Sequence, residues 1–210
     1  TLTEAQKLAY SNLVQTLVVG ATTGLNLDSV AGQQAAKFEV ENNQQRILTN
    51  NGKWENPGPD LNLFTANGHD KEMELSAKLL ANRPGEYSIA GHGDANSLIR
   101  GYGDKTRERL TPERLAETIK DDPSFNGKTF VTLYACNTGN SADAIGGVPF
   151  AQKLANILGI PVSAPTSYAW FGPHGYVGIY DKNTGRMNVM FNGSMNVSAP
   201  GQMKQFKPTN

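Results

Sequence analysis

The alternation of apolar and polar stretches after residue 60 predicts an α/β domain. Short apolar, β-prone runs alternate with stretches whose apolar residues recur at helical spacing. Such alternation is typical of a mostly parallel sheet flanked by helices. The predicted strands are Leu61–Thr65, Glu86–Ala90, Thr129–Ala135 and Ile160–Ala164, and the predicted helices are Lys71–Ala81, Thr111–Lys120 and Pro149–Leu158.

The last part of the sequence breaks this alternation. Residues 175–193 are typical of an antiparallel hairpin, which we expect at the edge of the sheet. Its predicted strands, Tyr176–Tyr180 and Met187–Phe191, flank a turn that ends at Gly185. The polar tail Ser198–Asn210 is expected to be an extended strap or disordered.

Before residue 60 the pattern predicts a small helical segment and a linker. Helical spacing runs from Thr3 to Val19 and again from Asp28, and it ends at the tetrapeptide VENN, residues 40–43. The next residues are polar and rich in Asn, Gly and Pro, as in linkers. The predicted divisions are a helical segment over residues 1–43, a linker over 44–60 and an α/β domain over 61–210.

Charge and composition narrow the class of protein. The chain has 19 basic and 19 acidic residues, so no overall field favours nucleic acid, and a nucleic-acid partner is not expected. A single cysteine excludes an internal disulfide. No apolar run is long enough to span a bilayer, and no signal-peptide pattern is visible in the given sequence. Because the sequence also lacks an initiator Met, we interpret it as a fragment of a longer protein.

Two strand ends carry the candidate chemistry. Cys136 follows the strand over residues 129–135, and His92 follows the strand over residues 86–90. If both strands are parallel in one sheet, these residues emerge at the same carboxyl edge, where open α/β sheets bind ligands. A thiol nucleophile with a histidine as proton carrier is the chemistry of acyl transfer. We therefore predict Cys136 and His92 as a catalytic pair.

Further residues complete the predicted site. The N–H groups of Gly93 and Cys136 are candidates for an oxyanion hole, because glycine lets the backbone approach a substrate closely. Asp94 or Asp143 is a candidate to orient the imidazole. The aromatic loop with Trp170 and His174 is a candidate substrate wall. The sequence has no Cys-x-x-Cys or His-x-x-x-His pair, so we expect no metal and no cofactor.

The N-terminal motif carries a first resemblance. Two Ala- and Gly-rich helical stretches that end in VENN resemble the pretoxin segment of bacterial contact-dependent growth inhibition exoproteins, where that motif precedes a variable C-terminal toxin. The resemblance implies a secreted or cell-surface exoprotein whose toxic fragment is delivered into the cytoplasm of a target bacterium. It also implies a cognate immunity protein as partner.

The catalytic motifs carry a second resemblance. His92-Gly93 and Ala135-Cys136, each after an apolar strand and in this order, resemble the caspase-like cysteine peptidases. LTPERLAETIK and PFAQKLANILGIPVSAPT are similar to segments of the self-cleaving cysteine protease domains of large RTX-type toxins. The resemblance implies a caspase-like fold and a cysteine peptidase that attacks a peptide or amide carbonyl, including its own chain near Asn43.

Three alternatives stay open at this point. The same cysteine and histidine suit another acyl transfer, such as deamidation. A nuclease-type toxin would use Arg107, Arg109, His174 and nearby carboxylates for phosphoryl chemistry. A noncatalytic binding module would have Cys136 buried and His92 facing away.

Overall fold

This computed structural model describes residues 47–48, 54–55, 58–66, 70–102, 107–172, 174–182 and 195–209. The predicted helical segment over residues 1–43 and most of the predicted linker lie outside the described residues. The strands are β1 (Ile47–Leu48), β2 (Trp54–Glu55), β3 (Leu61–Asn62), β4 (Glu86–Ala90), β5 (His92–Gly93), β6 (Leu98–Arg100), β7 (Glu108–Leu110), β8 (Phe130–Tyr134), β9 (Val162–Pro165), β10 (Tyr168–Gly172), β11 (Gly175–Lys182), β12 (Met195–Pro200) and β13 (Met203–Phe206). The helices are α1 (Lys71–Ala77), α2 (Pro112–Asp121) and α3 (Phe150–Leu158).

A five-stranded sheet forms the centre of the described chain. Its strand order is β13-β9-β8-β4-β3, and β3, β4, β8 and β9 are parallel. The edge strand β13 runs antiparallel to β9. The prediction of an α/β domain with a mostly parallel sheet is therefore confirmed.

Helices α2 and α3 cover one face of this sheet, which is apolar along its whole length. Alternate residues of β4, β8 and β9 point to this face, as the period of two in a strand requires. The sheet side of this core consists of Tyr87, Ile89, Val131, Leu133, Val162 and Ala164, and the helix side of Leu115, Ile119, Phe150 and Leu154. These side chains are essentially fully buried. Their burial is the main stabilising contribution on this side of the sheet.

The opposite face of the sheet is covered by α1 and by the strands β10 and β11. Its apolar cluster is smaller and mainly aromatic: Phe64, Ala77, Leu80, Ala90, Tyr134, Phe171 and Tyr176. Polar side chains share this face, and Glu86, Ser88 and Thr132 are fully buried there. We call it the mixed face, and the face under α2 and α3 the apolar face.

Capping residues bound two of these helices. Thr111 caps α2 by accepting a hydrogen bond from the Arg114 N–H, and Pro112 occupies the first helical position. Gly159 ends α3 in the left-handed conformation with φ of 71°. The helix predicted over Lys71–Ala81 is shorter in the structure, where α1 ends at Ala77. None of the helices in the described ranges is both long and apolar enough to cross a membrane.

The predicted hairpin lies in a different sheet from the one expected. β11 pairs antiparallel with β10 and β12, and these three strands form a sheet of their own. β13 forms the edge of the main sheet, where it pairs with β9. The prediction that the hairpin lies at this edge is therefore wrong. The predicted second strand, Met187–Phe191, lies outside the described residues. The tail after residue 198 contributes to β12 and to β13, so its central part is extended as expected.

A second small sheet carries the candidate histidine. β5, β6 and β7 form an antiparallel sheet between β4 and α2 that the sequence pattern does not predict. In this sheet His92 lies opposite Ile99 and Gly93 opposite Leu98. The chain therefore leaves the main sheet at Gly91 and enters the small sheet at once.

Candidate active site

Two neighbouring strands of the main sheet bring the predicted catalytic segments to the same edge. β4 and β8 are parallel and in register, with Ala90 opposite Tyr134. Both strands end at this pair, so His92 and Cys136 each follow two residues later. The Gly91 N–H donates to the Tyr134 carbonyl over 3.4 Å and holds the two chains together beyond the strands. This is the carboxyl edge, where open parallel sheets place their sites.

Gly93 lies in direct contact with the cysteine segment. A Cβ atom at this position would lie 3.0 Å from Thr138 Cγ2, 3.2 Å from Ala135 Cβ and 3.3 Å from the Cys136 carbonyl oxygen. A side chain here would have to shift these neighbours by a few tenths of an ångström, so glycine favours the close approach. The backbone of His92-Gly93 therefore packs against the loop that contains Cys136.

Hydrogen bonds to the following strands fix the turn after Cys136. Asn137 has a φ of 57° and is the one non-glycine residue with positive φ in the described ranges. Asparagine tolerates this left-handed conformation better than most residues. The Asn137 N–H donates to the Ser167 carbonyl and the Gly139 N–H to the Pro165 carbonyl, both over 2.8 Å. The cysteine therefore lies at a sharp turn whose position is fixed by the backbone.

The Cys136 sulfur is sheltered by β10. Its Sγ lies 3.7 Å from the Ala169 carbonyl oxygen, and the residue as a whole is half-buried. Burial raises the pKa of the Cys136 thiol, and hydrogen bonding to the Ala169 backbone and the charge of Lys182 oppose this shift. The side chain is therefore a neutral thiol at neutral pH and needs a base to become a nucleophilic thiolate.

Asp70 holds the imidazole of His92. His92 Nε2 lies 3.0 Å from Asp70 Oδ1. Asp70 immediately precedes α1, yet its carboxylate makes no capping hydrogen bond and the residue is 1% exposed. Its Oδ2 is buried and has no hydrogen-bond partner among the described residues. A carboxylate on Nε2 keeps the proton on that nitrogen and leaves Nδ1 as the acceptor.

Burial sets the protonation state of His92. Its ring lies edge-on to Phe64 with centroids 5.0 Å apart, and 4.5 Å from the Tyr102 ring. Burial lowers the pKa of His92, the charge of Asp70 opposes this, and the cations Arg107 and Lys182 add to it. His92 is therefore neutral at neutral pH and able to accept a proton.

The structure gives the orienting position to Asp70 in place of the predicted Asp94 or Asp143. Asp94 Oδ1 accepts hydrogen bonds from the N–H groups two and three residues later, and Oδ2 pairs with Arg109 at 2.8 Å. Asp143 Oδ2 accepts a hydrogen bond from Asn140. Asp residues that close their own turn use their carboxylate locally. Both predicted residues therefore serve their loops, and neither contacts His92.

Trp170 supports β10 and β11 instead of lining the site. Ala169 and Phe171 pack towards the mixed face, so the alternation of the strand puts Trp170 on the other side of β10. There its Nε1 donates to the Tyr180 carbonyl over 2.8 Å. The predicted substrate wall is therefore not formed by this side chain.

The residues of the nuclease alternative are dispersed in the structure. His174 is exposed in the tight turn between β10 and β11, beyond the Gly172–Gly175 pair. Arg109 lies in the small sheet and is engaged by Asp94 and by Ser97 Oγ. His174 therefore lies between strands of one sheet and Arg109 within another, and the nuclease alternative stays a prediction.

No group of three His, Cys, Asp or Glu side chains within the described ranges is placed to hold a metal ion. The side chains that the site brings to this edge are a thiol, an imidazole and a buried carboxylate.

Comparison with known families gives two matches. Residues 59–188 match a family described as a domain of unknown function (DUF8616), and this match covers more than half of the chain. Residues 1–45 match a family described as a pre-toxin domain with VENN motif. No curated protein and no solved structure matches. The second match supports the toxin prediction, whereas the caspase-like peptidase has no match and stays a prediction.

Proposed function

The chain belongs to the family described as a domain of unknown function (DUF8616). We propose that it is a bacterial toxin effector that acts as a cysteine peptidase. Cys136 is the nucleophile, His92 the base and Asp70 the residue that positions His92. One observation carries the proposal: the neighbouring strands β4 and β8 deliver His92 and Cys136 to one edge, where a buried carboxylate holds the histidine.

The toxin part of the proposal rests on the N-terminal match. A pre-toxin domain with VENN motif indicates a secreted toxin that is delivered to target cells. On this basis we propose delivery into the cytoplasm of a neighbouring bacterium and an immunity protein that protects the producer. The peptidase part rests on the site geometry and on the resemblance to caspase-like enzymes.

The protonation states support a general-base mechanism. Burial raises the pKa of Cys136 and lowers that of His92, so the resting pair is a neutral thiol and a neutral imidazole. In the reaction, His92 accepts the thiol proton as the sulfur attacks the carbonyl carbon. Asp70 then faces an imidazolium and stabilises its positive charge. The buried carboxylate is therefore most useful after the proton has moved.

Two backbone N–H groups are the proposed donors to the oxyanion. The Asp94 N–H donates to the Ser97 carbonyl over 2.9 Å. Because hydrogen-bonded and non-hydrogen-bonded pairs alternate along antiparallel strands, the preceding Gly93–Leu98 pair is a non-hydrogen-bonded one. The Gly93 N–H then points away from β6, on the side of the cysteine loop. The Cys136 N–H, at the start of the turn that follows β8, is the second candidate donor.

The remaining steps use the same groups. The protonated His92 gives its proton to the leaving nitrogen, the C–N bond breaks, and an acyl-enzyme forms on Cys136. Water then attacks the thioester, again with His92 as base, and releases the acid and the free thiol. Deamidation of a side-chain amide follows the same steps with ammonia as leaving group, so the substrate pocket distinguishes the two reactions.

The test is toxicity and proteolysis by the chain and by matched variants. We expect Cys136→Ala and His92→Ala to abolish growth inhibition and any self-cleavage near Asn43, measured by intact mass. His174→Ala is the matched control, because this exposed histidine lies outside the site. Circular dichroism of each purified variant establishes that it is folded.

Retained toxicity in folded Cys136→Ala would overturn the proposal. Toxicity lost only in His174→Ala would favour phosphoryl chemistry, and nucleic-acid degradation would then be measured. A wild-type chain that inhibits growth but releases ammonia without breaking a peptide bond would identify the deamidase variant.

A further inference from the structure

Three apolar side chains are exposed close together on the outer surface of α1 and β11. Leu75 lies in α1 and Leu79 in the turn that continues it, and they are 48% and 44% exposed. Residues four apart on a helical turn are neighbours on its surface. A Cβ atom at Gly175 would lie 3.3 Å from the Leu79 Cβ, and Val177, two residues further along β11, is 39% exposed. We call Leu75, Leu79 and Val177 the α1 patch.

The opposite side of α1 is packed against the domain. Ala77 and Leu80 belong to the apolar cluster of the mixed face. The Ser76 hydroxyl donates to the Gly172 carbonyl over 2.5 Å. These contacts fix the orientation of the helix, so the α1 patch is presented outward. Contiguous exposed apolar side chains of this kind mark an interaction surface.

The chain enters the α/β domain beside this patch. Gly58 is buried, and a Cβ atom at this position would lie 3.4 Å from the Lys78 Cα. Two residues later, Asp60 Oδ2 accepts a hydrogen bond from Asn82 over 3.0 Å, which holds the entering chain in place. Lys78 directly precedes Leu79. The part of the chain before residue 58 therefore joins the domain next to the α1 patch.

The sequence of the N-terminal segment requires an apolar surface outside itself. Residues 1–45 match the pre-toxin family, and Leu8, Leu13 and Leu17 are among the apolar residues that recur there at helical spacing. A unit of about 45 residues buries a small fraction of its own surface and is marginal by itself. Its stretch of sequence contains no cysteine that could form a disulfide. The segment thus has apolar residues to cover, and the domain has an apolar patch where the segment is attached.

We infer that the N-terminal segment, residues 1–45, docks on the α1 patch of its own chain. Residues 46–57 connect it to Gly58, and an extended chain of this length reaches at most about 45 Å. Such a tether holds the segment at an effective concentration on the order of 1 mM. A patch of three side chains is sufficient for a tethered contact, whereas two separate chains need about 800 Å² on each partner. The inference does not rest on the catalytic proposal.

A photocrosslinker in the 210-residue chain tests this docking. p-Benzoylphenylalanine replaces Leu75 in a Cys136→Ala chain, so that the proposed self-cleavage cannot detach the segment. After irradiation, trypsin digestion and mass spectrometry identify the residues that have been joined to position 75. The matched control carries the same group in place of Ile145, which is 76% exposed in the loop before α3.

We expect position 75 to be joined to residues 1–45 in a product with the mass of a monomer. Because the contact is within one chain, the yield should not depend on protein concentration. The yield from position 75 should exceed that from position 145 by about tenfold or more, because the tether favours the docked state over other contacts.

A second measurement tests the patch itself. With the crosslinker in place of Val177, Leu75→Glu should lower the yield of joining to residues 1–45 about tenfold, because a carboxylate does not gain the free energy of burying a leucine. Leu75→Met should keep the yield within about twofold of the unsubstituted chain, since methionine has a similar volume and is apolar. Ile145→Glu is the matched control and should leave the yield unchanged. Circular dichroism establishes that each variant is folded.

Three outcomes would overturn the inference. A covalent dimer whose yield rises with protein concentration would assign the α1 patch to a second copy of the chain. Equal yields from positions 75 and 145 would show that the segment does not dock on the patch. Equal losses in Leu75→Glu and Ile145→Glu would show that the contact is not specific to the patch. Every measurement uses a chain without the thiol, so a failure here is distinct from a failure of the peptidase proposal.

Discussion

The two faces of the main sheet differ in what they bury. The apolar face is packed by α2 and α3 mainly with aliphatic and aromatic side chains. The mixed face buries charged and hydroxyl groups: the Ser88 N–H donates to Asp60 over 2.8 Å, and Arg83 pairs with Glu86 at 3.0 Å. The buried carboxylate of Asp70, at the start of α1, is also one of the charged groups on the mixed face.

The difference separates stability from chemistry. Aliphatic packing stabilises in proportion to buried area. The Tyr87 ring shares this packing, and its hydroxyl donates to Asp122, so the polar atom that it brings to the apolar face has a partner. The mixed face already satisfies buried polar groups with partners, and it ends at the edge where His92 and Cys136 emerge. Substitutions on the two faces should therefore have different consequences, and four predictions test this separation.

The largest effect is expected at Asp70. Asp70→Asn should lower kcat about 10²- to 10⁴-fold, because the imidazolium formed on His92 loses its counter-charge and its fixed tautomer. Its fold should persist, because the amide is nearly isosteric. Steady-state kinetics on a cleaved peptide measures the loss. Asp94→Asn is the matched control and should leave kcat within about threefold of wild type, because this carboxylate serves its own turn. An equal loss of kcat in Asp70→Asn and Asp94→Asn would show that Asp70 has no specific role in positioning His92.

The second prediction concerns the apolar face. Leu154→Ala should lower the free energy of unfolding by about 2–5 kcal/mol, because the fully buried side chain leaves a cavity under α3. Urea unfolding measures this change. The folded fraction should keep the wild-type kcat, since the cavity lies on the side of the sheet away from Asp70. If kcat of Leu154→Ala fell as much as kcat of Asp70→Asn, the two faces would not differ in their contribution to catalysis.

The third prediction concerns the contact between Gly93 and the cysteine loop. Gly93→Ala should lower kcat/KM about tenfold or more, because the new Cβ forces apart the two backbone segments that carry the proposed oxyanion donors. The loss should be in kcat more than in KM, since the oxyanion exists only in the transition state. A variant with unchanged kcat would show that the Gly93 N–H does not contact the reacting group.

The smallest effect is a pH dependence. The pKa of His92 is lowered from its ordinary value of 6.5, so activity should decline on the acid side only as pH falls through the lower, folded value. Stability follows the same sign: a depressed folded pKa stabilises the fold above pH 6.5, and this contribution is lost as pH falls towards the folded pKa. Urea unfolding of His92→Asn should therefore show a flatter pH dependence than wild type, by about 1 kcal/mol per unit of pKa shift. His174→Asn, at an exposed histidine outside the site, is the control.

The sequence predicts the parts of the fold whose signals are local. β4, β8, α2 and α3 follow from apolar runs, from the Thr111-Pro112 cap and from Gly159. The small sheet of β5, β6 and β7 has strands of only two or three residues, too short for the alternation of side chains to be recognised. The sequence does not predict β10, because its aromatic residues are equally typical of a packed loop.

The candidate site is predictable to the same extent. His92 and Cys136 end strands that the pattern identifies, so their common edge follows from the parallel sheet. Asp70 does not follow, because an Asp before a helix is usually read as a capping residue. Its side chain turns to His92 because α1 crosses the mixed face, and this crossing is a property of tertiary packing. Asp94 looks more suitable only because it is near His92 in sequence.

The edge strand β13 has a consequence for when the site is complete. The Phe206 ring lies against Gly139, where an added Cβ would be 3.1 Å from its Cε2, and Gly139 belongs to the loop after Cys136. A chain that emerges from a ribosome or a translocation pore in the N- to C-terminal direction cannot form this contact until residue 206 is outside. Four strands can pair before that moment while the loop lacks its neighbour. We therefore expect the loop that follows Cys136 to reach its final packing late in folding. Partly emerged chains should then have no activity that depends on Cys136.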